Sequence, residues 1–281
     1  MKAYFDSIEK EVPEQLQQVF LNRRDTAVIT IDMHDGHLST DPDCPCPSPR
    51  GREIIEPLNH FMNEARALGL PIIHVRSTLR KGGADEKLFP SAWRMVFPVT
   101  VGEISNIAEH AIEGTRWNRM SIDVHDEDYM VTTKKRLSAF YPTDLELLLR
   151  NLGIRRVVLT GCMTDCCVIN TAFDAANRDF RVVVPRDLTR GSEHLEEPAL
   201  RMISLHLGLV VDSDALDPSL FRTPLHLPME IALSDSEHPI MRPNAVEHFE
   251  IVLNLIRQKL RHGDDAVAFL RFWSGNQVLT V

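Results

Sequence analysis

From Asp25 onward, short runs rich in β-branched residues alternate with longer segments of helical spacing, an order that few folds satisfy. The runs are AVITID ending at Asp32, LPIIHVR around Ile72, DYMVTTK leading to Lys134, RRVVLTG ending at Gly161, FRVVVPR around Val183, and finally LGLVVDSD. Most are continuously apolar, as strands covered on both faces are. REIIEPLNHFMNEARALG, TDLELLLRNLG and TDCCVINTAFDAANR lie between them with helical spacing. The first two close on Gly69 and Gly153, where a helix C-terminus favours glycine, and EEPALRMISLHLG repeats that close at Gly208. The expected fold class is α/β, a doubly wound, mostly parallel sheet in an α/β/α sandwich.

Two stretches break the alternation. STDPDCPCPSPRG, residues 39–51, is too rich in proline for a regular element and is expected as a loop beyond the first strand. Residues 224–281 follow the last expected strand and contain AVEHFEIVLNLIRQKLR, so residues 1–223 are expected as the main domain and 224–281 as a helical C-terminal extension. Net charge −9 argues against a nucleic-acid partner. No apolar run has the length of a membrane span, and the N-terminus lacks the apolar core of a secretory signal. Five cysteines, two of them adjacent, make a poor disulfide framework, so a cytoplasmic location is expected.

Open parallel sheets bind ligands beyond the carboxyl ends of their strands. Asp32 and Lys134 close two of the runs, and Cys167 follows a third at the start of a helical segment. A cysteine attacks carbonyl carbon as thiolate; a nearby carboxylate takes its proton, and a lysine steadies the negative charge. Each residue also has a structural reading. Asp32 suits a turn cap, Lys134 sits in a basic Lys-Lys-Arg edge, and Cys162, Cys166 and Cys167 suit small packing residues.

VITIDMH, KKRLSAF and TGCMTDCCVINTAFDAANRDFRVVVPRD resemble, in order and internal spacing, the motifs of the isochorismatase-like cysteine hydrolases, the superfamily of nicotinamidases, N-carbamoylsarcosine amidohydrolase and biuret hydrolases. The resemblance covers roughly residues 24–215. It implies a catalytic trio of Asp32, Lys134 and Cys167, with Cys167 chosen over Cys166 by the family pattern Thr-Asp-x-Cys-Val. It further implies an oxyanion hole from the N–H groups of Met163 and Cys167 and a cis peptide between Cys162 and Met163. The implied reaction is hydrolysis of a small amide or ureide C–N bond through a thioester, without cofactor, in a homodimer or homotetramer.

His34, His37, Trp117 and Phe140 are the expected substrate-binding residues, and Trp93, Phe97 and Tyr141 are aromatics that suit either a pocket wall or packing. No metal is expected. Metal-carrying nicotinamidases use an Asp-x-His pair with a distant histidine, which is not found in the corresponding loop, and Cys44-Pro-Cys46 lacks zinc-site spacing. Other readings are a vinyl-ether hydrolase of the isochorismatase type, which the cysteine argues against, a non-catalytic binding protein, and a redox protein using Cys166 and Cys167, whose adjacency permits only a strained disulfide.

Overall fold

The structure is a computed structural model that describes residues 1–216; the expected extension, 224–281, lies outside the described residues. Among the described residues nine strands form one sheet: β1 (Lys2–Phe5), β2 (Ile8–Glu11), β3 (Thr26–Ile31), β4 (Ile72–Ser77), β5 (Tyr129–Lys134), β6 (Arg156–Cys162), β7 (Arg181–Pro185), β8 (Thr189–Arg190) and β9 (Gly208–Val211). Their order is β2-β1-β9-β7-β6-β3-β4-β5, with β8 beside β6. From β3 through β9 all pairings are parallel; β1 joins β9 and β2 antiparallel. The sheet is therefore mostly parallel and wound in two directions from β3.

Side chains alternate across the strands because successive Cβ atoms point to opposite faces. Ala27, Ile29 and Ile31 of β3, with Val157 and Leu159 of β6, enter one core; Val28, Val158 and Cys162 enter the other. The first core is covered by α5 (Leu145–Asn151), α6 (Ile169–Asn177) and α7 (Glu196–His206); the second is covered chiefly by α3 (Ile55–Ala67), while α1 (Glu14–Phe20) packs Leu16 and Phe20 against its edge. Two further helices are α2 (Asp35–Leu38), which adds Leu38 to the second core, and α4 (Ala92–Val101), which has no buried residue.

Several local differences from the sequence expectations have physical causes. The β1–β2 hairpin was not expected, since β2 is exposed throughout and has no buried face to impose a pattern; Asp6 and Ser7 turn it with φ 51° and 64°. Residues 39–51 form the expected loop up to Ser48, but Pro49 opens a 3₁₀ turn, Pro49–Ile54, that feeds α3. Gly69 and Gly153 do end helices, at φ 73° and 71°. Gly208 instead begins β9, where a Cβ would lie 2.0 Å from the Val182 carbonyl oxygen. Close strand approach, not a helix cap, requires glycine there.

Gly161, at φ 105°, lets β6 pass beside β3 where an added Cβ would meet the Ile31 oxygen at 2.3 Å. Gly161→Ala is expected to cost about 2–3 kcal/mol, from a left-handed backbone and forced separation of the strands. Urea denaturation of the variant checks this, and an unchanged midpoint would contradict it.

Candidate active site

The chain runs outward through β4 and β5 on one side of β3 and returns as β6 on the other, so the reversal falls between β3 and β6, where open sheets leave a crevice. Asp32 follows β3 with φ 53°, a left-handed conformation that aspartate tolerates better than most side chains, while its N–H still donates to the Val75 carbonyl at 2.8 Å. Its Oδ1 accepts from the Ser77 N–H at 2.6 Å and its Oδ2 from Lys134 Nζ at 2.5 Å. Lys134 Nζ also donates to Ser77 Oγ at 2.8 Å and reaches Cys167 Sγ at 3.4 Å. Three ammonium donors thus meet three acceptors. Such complete pairing is what allows a lysine to be 1% exposed in contact with a fully buried aspartate.

Cys167 lies in a π-helical turn, Thr164–Val168, ahead of α6. The sequence spacing suggests the first turn of an α-helix; π turns of this kind recur at functional sites. The turn is pinned from both sides. Asp165 accepts from the N–H and Oγ of Ser192 at 2.9 and 2.8 Å, Thr164 and Thr189 share a hydroxyl contact of 2.9 Å, and Thr171 donates to the Cys167 carbonyl at 2.7 Å. The Cys162–Met163 peptide is cis.

Burial alone would raise the Asp32 carboxyl, but the Lys134 ammonium overcomes it and holds that carboxyl well below the usual carboxylate range. Burial opposes the Lys134 charge too, and Asp32 with Cys167 more than offsets it, keeping the ammonium above its ordinary range. The Cys167 thiol is pushed well above its ordinary range by its contact with Cys166 and by burial, with Asp32 adding repulsion. At rest the proton therefore sits on sulfur and the negative charge on Asp32.

The trio opens on a cavity of about 100 Å³. Met163 and Cys166 line it beside Cys167, Trp93 and Phe97 of α4 form an apolar wall, and His37 and His110 close the far side. Of the expected substrate-binding residues only His37 reaches this cavity. His34 is fully buried, with Nδ1 3.0 Å from the Trp117 carbonyl. Trp117 and Phe140 require correction. Trp117 is packed away from the cavity, its Nε1 donating to Glu109 at 2.8 Å, and Phe140 belongs to the core against Phe180, ring centroids 5.8 Å apart. Tyr141 is exposed.

Two site residues were not expected. Ser77 orients both charges and is detectable in principle, because it closes β4 in the same layer as Asp32 and Lys134. His110 comes from an irregular segment without periodic signal, yet its Nε2 stands 3.1 Å from His37 Nε2. Nitrogen atoms of His34, His37 and His110, all buried, lie within 4.8 Å of one another. Burial depresses all three imidazoles, with histidine repulsion adding to it at His34 and His110; His34 falls to about 3.

The isochorismatase domain family model matches residues 26–215. The chain is 40% identical to the ureidoacrylate amidohydrolase RutB of Methylorubrum extorquens over 93 residues, 32% of this chain and only 38% of that protein's length. It is 25% identical to RutB of Stutzerimonas stutzeri over 227 residues, 76% of this chain and 90% of that one. A solved isochorismatase-like hydrolase from Alkaliphilus metalliredigens superposes with TM-score 0.57 at 28% identity, covering 68% of this chain and 97% of that one. With its doubly wound sheet and a family match over most of its length, the chain belongs to the isochorismatase family.

Proposed function

We propose that this chain is a cysteine hydrolase of small amides or ureides, a reading carried by the one ammonium, Lys134 Nζ, that bridges the Asp32 carboxylate and the Cys167 sulfur at the cavity floor. Asp32 accepts the Cys167 proton as sulfur attacks the carbonyl carbon. Carboxylate and thiolate exchange their negative charge beside the same ammonium, so the net charge of the buried trio is constant during the transfer. The N–H groups of Met163 and Cys167 receive the oxyanion. Asp32 then protonates the departing nitrogen as the C–N bond breaks, leaving a thioester, and water deprotonated by the same carboxylate releases the acid and restores the thiol. We place this chemistry in a cytoplasmic homodimer or homotetramer. RutB relatives, named for a ureido acid, favour ureides among the substrates.

Ammonia release from a panel of ureido acids, carbamoyl amino acids and primary amides tests the reading. Turnover of at least one supports it, while substrate binding without release on every member would favour a non-catalytic binding protein. The pH profile adds a second check. Because Asp32 is held below the usual carboxylate range and must be ionised to act as base, kcat/KM is expected to stay level through about pH 4–5 for as long as the protein remains folded. An acid limb inside that range would assign the base to another group.

A further inference from the structure

We propose that His34, His37 and His110 form a three-nitrogen site for a divalent ion of the zinc class, with its open coordination position facing the cavity. The argument begins with the protons. His37 Nδ1 lies 2.9 Å from the Cys46 carbonyl oxygen, which can only accept, so Nδ1 carries the hydrogen and Nε2 the lone pair. His34 Nδ1 has two neighbours, the Gly36 N–H, which donates toward it at 3.2 Å, and the Trp117 carbonyl oxygen at 3.0 Å; the proposed site uses the tautomer in which Nδ1–H donates to that closer carbonyl and Nε2 keeps the lone pair. Backbone carbonyls holding Nδ1–H are the partners that orient imidazole toward a metal and fix its tautomer.

Two Nε2 lone pairs are thereby turned into one buried space. A hydrogen bond from His110 Nε2 to His37 Nε2 would account for their 3.1 Å contact, but it leaves His34 Nε2, which is buried without any hydrogen-bond partner among the described residues. A cation satisfies all three nitrogens at once. The 3.1 Å separation is close to the edge of about 3.3 Å expected for a tetrahedron with Zn–N arms of about 2.0–2.1 Å. The whole set, within 4.8 Å, closes on such an ion by small side-chain movements.

Imidazole nitrogen suits zinc and its neighbours in the first transition row, not magnesium or calcium. Asp32 does not complete the set, since its two oxygens are held by Ser77 and Lys134, and its Oδ1 is 4.0 Å from His34 Nε2. His37 and His110 line the cavity, so the remaining position is open to water or to a Lewis-basic group of a bound molecule. This set also differs from the Asp-x-His pair with distant histidine of metal-carrying nicotinamidases.

The test uses the full chain without substrate, so its outcome is independent of the amide-hydrolase reading. Chelator-treated protein is dialysed against Zn(II) or Co(II) and its metal content measured. One ion per chain is expected, with cobalt bands of an all-nitrogen and oxygen sphere and no thiolate charge-transfer band. Zinc K-edge absorption on the unsubstituted protein should show imidazole scattering without sulfur. His110→Gln is expected to weaken the apparent Kd by at least about 10²-fold, and the Cys44→Ser variant to leave it unchanged. Absence of binding, sulfur in the coordination sphere, or equal affinity in a folded His110→Gln protein would each overturn the site.

Discussion

Replacing Cys167 with serine is expected to lower kcat by at least about 10³-fold while leaving the fold intact. Oxygen and sulfur differ little in size, and the side chain is held by its pinned turn, so the structural disturbance is small. The chemical disturbance is large. Asp32 is a weak base here because Lys134 stabilises its charge, and even the thiol gives up its proton against an opposing gradient. A hydroxyl, with a far higher pKa, steepens that gradient further. Ammonia-release kinetics alongside a denaturation curve separate activity from folding. Serine protein with more than about a tenth of the original kcat would remove Cys167 from the nucleophile role, and loss confined to Cys166→Ser would transfer that role to its neighbour.

Lys134→Met is expected to destabilise the protein by about 3–5 kcal/mol, the largest stability effect predicted for any single residue here, because it leaves a buried carboxylate without its cation. Side chains of Lys134 and Asp32 are 1% and 0% exposed, so water cannot replace the lost ammonium without entering the core. The pH dependence should also change sign. In the unsubstituted protein Asp32 has a folded pKa below its unfolded value of about 3.9, so its contribution is fully present above that pH and is lost as pH falls through the lower folded value. Without Lys134, burial governs and raises the carboxyl above its unfolded value. Stability should then be greatest near pH 4 and decline as pH rises through the raised folded pKa. Urea denaturation across pH 4–8 measures both size and slope; a variant with the original stability and the original slope would show that the ion pair does not hold this corner of the sheet.

The buried strands were legible because each must satisfy two apolar faces at once. AVITID, RRVVLTG and FRVVVPR became β3, β6 and β7 at the centre of the sheet, with successive residues dividing between the two cores. DYMVTTK became the edge strand β5, exposed at four of its six residues, as its mixed composition suggests. Phe140 was misplaced for the complementary reason. An aromatic side chain near a catalytic segment has the same sequence appearance whether it faces a ligand or fills a core, and the contact with Phe180 on the far side of α6 decided the matter. The Gly208 helix cap failed similarly, because the constraint comes from Val182 on the neighbouring strand.

For this protein, then, the sequence by itself determined the alternating α/β order, the strand ends that carry Asp32 and Lys134, and the turn that carries Cys167, since all of these follow from periodicity and short-range spacing. Only the tertiary structure brought Ser77 between the two charges and set His110, 73 positions from His37, against His37 and His34. Those meetings depend on how β4 and the irregular segment after α4 lie over the crevice, which is fixed by packing between distant parts of the chain and leaves no period in the sequence to read.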